Sequence, residues 1–291
     1  MKGAKFIISL FLIFISCFSF SQKKDSPVFI ETRPFQNTFQ EKIFTQLKTE
    51  KVNPLAAFLS LDPTMSDEKY KRVAANFNLF CEKLKAKKQR KKEEKFLKYV
   101  FFKVHKKYLR EYQLNSPLFK TFELGQYDCV SGTAIYALIL HNLNIPYIIK
   151  ETKFHVYLLT EADDRQVLFE TTDPEDGFIT ALAKIEESEK KYQEDEGRNN
   201  NYYVFKSSIN EAINLKELSA LEYYNMGVAS FNQKNIVSSL DFFEKALRLY
   251  KSPRIQEIFI RTLEVLEKEA YQSKSIGLAN RYRYYSKIIQ Q

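Results

Sequence analysis

The sequence is poor in the residues that form metal sites and disulfide frameworks. Its 291 residues include only three histidines and three cysteines, and tryptophan is absent. No Cys/His pair has the short spacing that metal ligands show. The acidic runs also lack the glycine and the regular acidic spacing of a calcium loop. We therefore predict neither a bound metal nor another cofactor.

Long apolar runs are also scarce, and the main one lies near residue 1. Lys2 and Lys5 precede an apolar run over residues 6–15, and small and polar residues follow, which is typical of a secretory signal. We predict a signal peptide over residues 1–21 and an exported protein, periplasmic or secreted, with no membrane span after processing. Cleavage after Ser21 and lipidation at Cys17, which would anchor the protein to the cell envelope, both remain open.

The excess of positive charge is local. The formal net charge is +9, and much of it lies in one basic run from Lys83 to Lys95. The aromatic residues that follow this run recur at the spacing of a helix that packs on a core. The run therefore indicates two solvated helix ends, and we predict no nucleic-acid partner.

The patterns along the chain predict an α+β fold. Residues 22–184 are expected to form one domain whose first part is helical, with helices starting at Asn53–Pro54 and at Ser66 and with Cys81 on a buried stripe. A helix beginning near Cys129 precedes three segments rich in β-branched and aromatic residues, which predict a small antiparallel sheet. Residues 185–208 are charged and lack apolar periodicity, which indicates a linker.

Residues 209–291 are predicted to be helical. The segment ALEYYNMGVASFNQKNIVSSLDFFEKALRLYKSP resembles one tetratricopeptide repeat (TPR). Five residues fall on the signature positions of that repeat: Tyr223, Met226, Gly227, Phe243 and Ala246. Because one repeat cannot bury its apolar face alone, we expect these helices to pack on one another or on the preceding domain. The resemblance also implies that they could bind a protein partner.

Cys129 has the surroundings of a reactive thiol. Asp128 is placed as an N-cap, so Cys129 would lie in the first helical turn, where free N–H groups and the helix dipole stabilise a thiolate. Acyl transfer by a thiolate needs a histidine as proton carrier and a third group that orients the ring. His155 is the only histidine in a predicted strand.

The third group depends on the register of the hairpin after His155. A turn centred on Asp164 opposes His155 to Asp173, so that the carboxylate would face the imidazole. A turn centred between Asp163 and Asp164 instead opposes His155 to Thr172 and moves Asp173 to the other face. The sequence leaves both registers open.

The stretch from Gly125 to Pro174 resembles the transglutaminase-like, or papain-like, superfamily of cysteine hydrolases. YDC is similar to the nucleophile motif, LNIPYII to the phrase between helix and strand, and FHVYL and TTDP to the histidine and aspartate motifs. The resemblance implies that Cys129 is the nucleophile, His155 the general base and acid, and Asp173 the orienting carboxylate.

This resemblance implies a thiol hydrolase or acyl transferase that acts on an amide of a peptide, a protein or a cell-wall peptide. The alternative is a catalytically inactive member of the superfamily that serves the cell envelope as a binding or scaffolding protein. The chain departs from the family pattern in lacking tryptophan and in having Asn144 where glycine is usual.

Overall fold

A computed structural model of the chain describes residues 35–47, 52–194 and 209–289. The predicted signal peptide, including Cys17, lies outside these residues, as does the part of the predicted linker over residues 195–208.

The described residues form a mixed α+β structure. In chain order its elements are α1 (Thr38–Leu47), α2 (Pro54–Leu59), α3 (Asp67–Lys88), α4 (Glu93–Tyr108), β1 (Glu111–Tyr112), α5 (Leu118–Leu124), β2 (Gln126–Tyr127), α6 (Cys129–Asn142), β3 (Tyr147–Thr152), β4 (Val156–Ala162), β5 (Arg165–Phe169), β6 (Phe178–Ile179), α7 (Leu182–Glu194), β7 (Asn210–Ile213), α8 (Leu215–Asn232), α9 (Ile236–Leu249), α10 (Pro253–Ser273) and α11 (Ile276–Ile289).

The first helices begin where their capping residues predict. The Asn53 side chain accepts the N–H of Leu55 at the start of α2, and Pro54 occupies the first helical position, where its missing N–H costs nothing. Ser66 caps α3 in the same way. Cys81 is fully buried on the inner face of α3, as its position on the apolar stripe predicts.

Helix α6 is the most buried element. Its residues from Val130 to Leu140 are all buried, so it is apolar on every side, as expected for a central helix. Small residues allow this close packing: a Cβ on Gly132 would lie 2.8 Å from Oγ1 of Thr171 in the segment after β5. The sheet, α4, α5 and α8 all pack around α6.

The three predicted strands are present as β3, β4 and β5, and they pair antiparallel. Two short strands extend the sheet to the order β6-β5-β4-β3-β7. Strand β7 lies in the part of the chain predicted to be helical, so that prediction is wrong for residues 210–213. Its sequence, NEAI, has no strand pattern of its own, and pairing with β3 decides its conformation.

The predicted linker is wrong for residues 185–194, which belong to α7. Two apolar side chains of α7 face the sheet together, Ile185 and Tyr192, and they are two helical turns apart. Two residues at this spacing are too few to show a helical period in the sequence. Both belong to one apolar cluster with Tyr157, Leu159 and Leu168. Helix α7 therefore covers the face of the sheet opposite to α6.

The last four helices confirm the prediction of helical structure after the sheet. Helices α8, α9, α10 and α11 pack on one another, and α8 also packs on α6 and α2. The Tyr223 hydroxyl of α8 lies 2.8 Å from Oγ of Ser60 after α2. The C-terminal helices thus share a core with the preceding domain. None of the described helices has both the length and the apolarity needed to cross a membrane.

The contact between α8 and α9 predicts a difference between two glycine variants. A Cβ on Gly227 would lie 2.4 Å from the ring of Phe243, whereas a Cβ on Gly277 would meet nothing closer than 3.7 Å. We expect Gly227→Ala to lower the free energy of unfolding by about 1–3 kcal/mol because it overpacks the core. Gly277→Ala should leave that free energy unchanged or raise it slightly, because alanine favours helix. Urea unfolding of both variants measures this, and equal stabilities would contradict the packing described.

Candidate functional site

Cys129 lies at the open end of the buried helix α6. Its side chain is partly exposed and lines a cavity of about 490 Å³. The cavity is bounded by the start of α6, by the segment before β4, and by one face each of α8 and α10. Its lining residues are Leu114, Asn115, Asp128, Cys129, Val130, Lys153, Phe154, His155, Val156, Tyr224, Asn225, Val228, Phe231, Asn232, Arg254 and Ile258.

Asp128 caps α6 and sets the position of the thiol. Its carboxylate accepts the N–H of Ser131 at 2.9 Å, and the Ser131 hydroxyl accepts the N–H of Asp128 at 2.9 Å, which forms a capping box. Asn225 of α8 donates to the second oxygen of the same carboxylate at 2.9 Å. Burial raises the pKa of Asp128 to about 6, against the lowering effect of these hydrogen bonds.

The prediction that His155 lies within a strand is wrong by one residue, because β4 begins at Val156 and His155 lies in the tight turn between β3 and β4. The backbone N–H of Thr152 donates to the His155 carbonyl at 2.8 Å, and the Thr152 hydroxyl accepts the N–H of His155 at 3.2 Å. Its Nε2 lies 2.6 Å from Oε2 of Glu170. The imidazole lines the same cavity as Cys129, and interaction with the thiol helps to raise the pKa of His155. The structure therefore brings together the two predicted residues Cys129 and His155.

Glu170, which the sequence did not single out, is the carboxylate against His155. It lies just after β5, and two neighbours donate to it. The Thr172 N–H donates to Oε1 at 3.0 Å, and the Tyr192 hydroxyl donates to Oε2. A carboxylate so bound is fixed in orientation, and it can fix the imidazole in turn.

Asp173 does not fill the role predicted for it. Its carboxylate instead accepts the N–H groups of Glu175 and Asp176 at 3.1 and 2.9 Å in the turn after β5. The cause is the hairpin register, because Leu158 pairs with Phe169 and the turn is centred between Asp163 and Asp164.

The two aspartates of this turn carried the signal for the register. Asp163 and Asp164 have φ values of 50° and 60°, the left-handed backbone of a two-residue hairpin turn that aspartate tolerates. Continuing that register beyond β5 opposes Glu170 to Tyr157. Although His155 precedes β4 by one residue, its ring stacks on that of Tyr157, so Glu170 lies diagonally across from the imidazole.

In three comparisons, with protein-family models, curated proteins and solved structures, nothing matches the chain. The resemblance to transglutaminase-like proteins therefore rests on the sequence motifs alone and stays a prediction.

The electrostatics of the site favour a charged His155. Burial acts to lower the pKa of His155, but its interactions with Cys129 and Glu170 raise this pKa to about 10. Burial acts to raise the pKa of Glu170, yet its contacts with His155, Thr172 and Tyr192 lower it to about 2. At neutral pH the two side chains form an ion pair of opposite charges.

The other histidines and the acidic residues form no second centre. Burial lowers the pKa of His105 to about 4, and its ring packs against Phe101 and Tyr136 in the core. His141 is exposed near the end of α6. Within residues 35–47, 52–194 and 209–289, no group of three or more His, Cys, Asp or Glu is arranged to hold a metal ion.

Arg254 joins the C-terminal helices to the segment that carries His155. Its guanidinium donates to the carbonyl oxygen of Thr152 and, at 2.8 Å, to that of Lys153. Its Nε lies 3.4 Å from Oε1 of Glu151, whose side chain is fully buried. The Tyr224 ring covers the guanidinium at 5.6 Å. Arg254, in the first turn of α10, therefore fixes the backbone of the segment that precedes His155.

Removing Arg254 should destabilise the fold through the charge it leaves behind. We expect Arg254→Met to lower the free energy of unfolding by about 3–5 kcal/mol, because Glu151 would keep a buried charge without its counter-ion. The double variant Glu151→Gln/Arg254→Met removes that charge and should regain part of the loss. Chemical denaturation measures all three proteins, and a double variant no more stable than Arg254→Met would contradict the role of the ion pair.

Proposed function

We propose that the protein is an exported thiol hydrolase or acyl transferase that acts on an amide bond of a peptide, a protein or a cell-wall peptide. One observation carries the proposal: a partly exposed thiol at a helix start lines the same cavity as a histidine that is paired with a buried carboxylate. Cys129 is the nucleophile, His155 the general acid and base, and Glu170 takes the orienting role that the family motif implied for Asp173. Export rests on the sequence pattern of residues 1–21.

The reaction follows from the order of these contacts. The Cys129 sulfur bonds to the carbonyl carbon, and the C–N bond breaks as the amine leaves with a proton from the His155 imidazolium. Water or an amine then attacks the thioester and gives its proton to the neutral imidazole, which releases the acid or the new amide and restores the thiolate. Glu170 stabilises the imidazolium and holds the ring, as the carboxylate of a catalytic triad does.

The start of α6 supplies the remaining part of this chemistry. The N–H of Cys129 is in the first helical turn, where helical N–H groups lack intrahelical acceptors. In the proposed reaction this N–H donates to the oxygen that gains negative charge during attack, and the helix dipole favours that charge. The cavity beside Cys129 supports an enzyme over the alternative of an inactive scaffold, because a sealed sulfur could not reach a substrate.

The reactivity of the thiol tests the proposal. We expect iodoacetamide at pH 7 to label Cys129 at least about tenfold faster in the wild type than in His155→Ala, because the imidazolium stabilises the thiolate. Peptide mapping resolves Cys129 from Cys81, whose burial raises its pKa to about 12. His141→Ala is the matched control, since this exposed histidine lies at the far end of the same helix and should leave the rate unchanged. Equal labelling rates in the wild type and His155→Ala would overturn the proposal.

A second test separates Glu170 from Asp173. The hydrogen bond and charge of Glu170 help to raise the pKa of His155, so Glu170→Gln should lower that pKa. We expect the midpoint of the His155 imidazole titration, followed by NMR, to move downward by about one unit or more. Asp173→Asn keeps an oxygen that can accept the N–H groups of Glu175 and Asp176, so the turn is preserved. This variant should leave the midpoint unchanged. An equal shift in the two variants would contradict the assignment of Glu170.

A further inference from the structure

The cavity beside Cys129 has a second wall, made by the C-terminal helices. Tyr224, Val228 and Phe231 of α8 recur at helical spacing and line it together, and Ile258 of α10 adjoins them. The side chains of Val228, Phe231 and Ile258 are each only partly buried. Apolar side chains that remain open to a concave site beside a reactive group are typical of a ligand pocket.

The wall begins beside the reacting groups and continues away from them along α8. At one end, Tyr224 covers Arg254, which binds the turn before His155, and Asn225 binds the cap of the nucleophile helix. Phe231 lies seven residues further along α8, about 10 Å at 1.5 Å per residue. An extended peptide covers that distance in about three residues.

Because the wall extends away from His155, we expect the acyl part of a substrate to contact it. The leaving amine takes its proton from His155, so it lies at the end of the cavity where the histidine is. The acyl part of the substrate then extends away from His155, along α8 towards Phe231 and along α10 towards Ile258. A cavity of about 490 Å³ has the size of a site for a short peptide segment.

We propose that α8 and α10 form an acyl-side subsite, in which Val228, Phe231 and Ile258 take a bulky aliphatic or aromatic side chain within about three residues of the scissile amide. The inference rests on the proposed thiol chemistry and names its substrate class. It assigns the C-terminal helices a part in substrate choice, because they supply the apolar wall of the same cavity that Cys129 and His155 line.

Peptide probes of varied sequence test this subsite. N-acetyl tripeptide vinyl sulfones, with leucine, phenylalanine, glutamate or glycine at one position at a time, react with the thiol and report the acyl side only. We expect the best leucine or phenylalanine probe to label Cys129 about 10- to 100-fold faster than the matching glutamate or glycine probe, measured as second-order rate constants by intact mass.

Variants of the wall then locate the preference. Phe231→Ala and Ile258→Ala should each lose most of it, while the iodoacetamide rate and the thermal unfolding temperature show whether the site and fold are intact. Phe231→Leu, a milder change, should keep a preference for apolar probes and shift it between leucine and phenylalanine. Ile260→Ala is the matched control, because this exposed residue of α10 lies outside the cavity.

The outcomes separate this inference from the proposed function. Equal rates for apolar and polar probes, or an unchanged preference in Phe231→Ala and Ile258→Ala, would overturn the subsite even if iodoacetamide labelling depends on His155. Labelling by iodoacetamide that is independent of His155 would overturn the thiol chemistry and the subsite with it.

Discussion

The burial of α6 is the constraint on which the rest of the structure depends. A helix that is apolar on every side must be surrounded, and the sheet, α4, α5 and α8 surround it. At the N-terminal end of the helix Cys129 is left partly exposed, because the capping box at Asp128 starts the helix at the edge of the core. A thiol at the end of such a helix keeps a fixed position, and the groups around it are held against the same core.

Buried polar contacts bind the C-terminal helices to this site. Asn225 bonds the carboxylate that caps α6, and Arg254 bonds the carbonyl oxygens of the turn before His155. Asp128 and Arg254 are themselves buried, and a buried group that loses its hydrogen bond or counter-charge is costly, so separating the C-terminal helices from the site would be unfavourable. The region after the sheet therefore belongs to the site as a structural part.

Local signals predicted the parts of the fold that local physics controls. Asn53, Ser66 and Asp128 each bond the backbone of the next turn, so a short sequence window contains the whole interaction. The same holds for the three central strands, whose β-branched and aromatic residues are bounded by turn residues. By contrast, β7 depends on the edge of β3, and α7 depends on Tyr157 and its neighbours on the sheet. Such partners are distant in sequence and leave no local pattern.

The sequence by itself determined that Cys129 starts a capped helix and that a strand follows the Cys129 helix beside His155, because capping and strand alternation are short-range effects. The sequence left two registers of the hairpin open, and the centres of their turns differ by half a residue. Only the tertiary structure decided that register, through the left-handed backbone at Asp163 and Asp164, and with it placed Glu170 beside the imidazole. The cavity wall of α8 and α10 is likewise a product of packing, because its residues are about 100 positions from Cys129 in the chain and meet it only through the shared core.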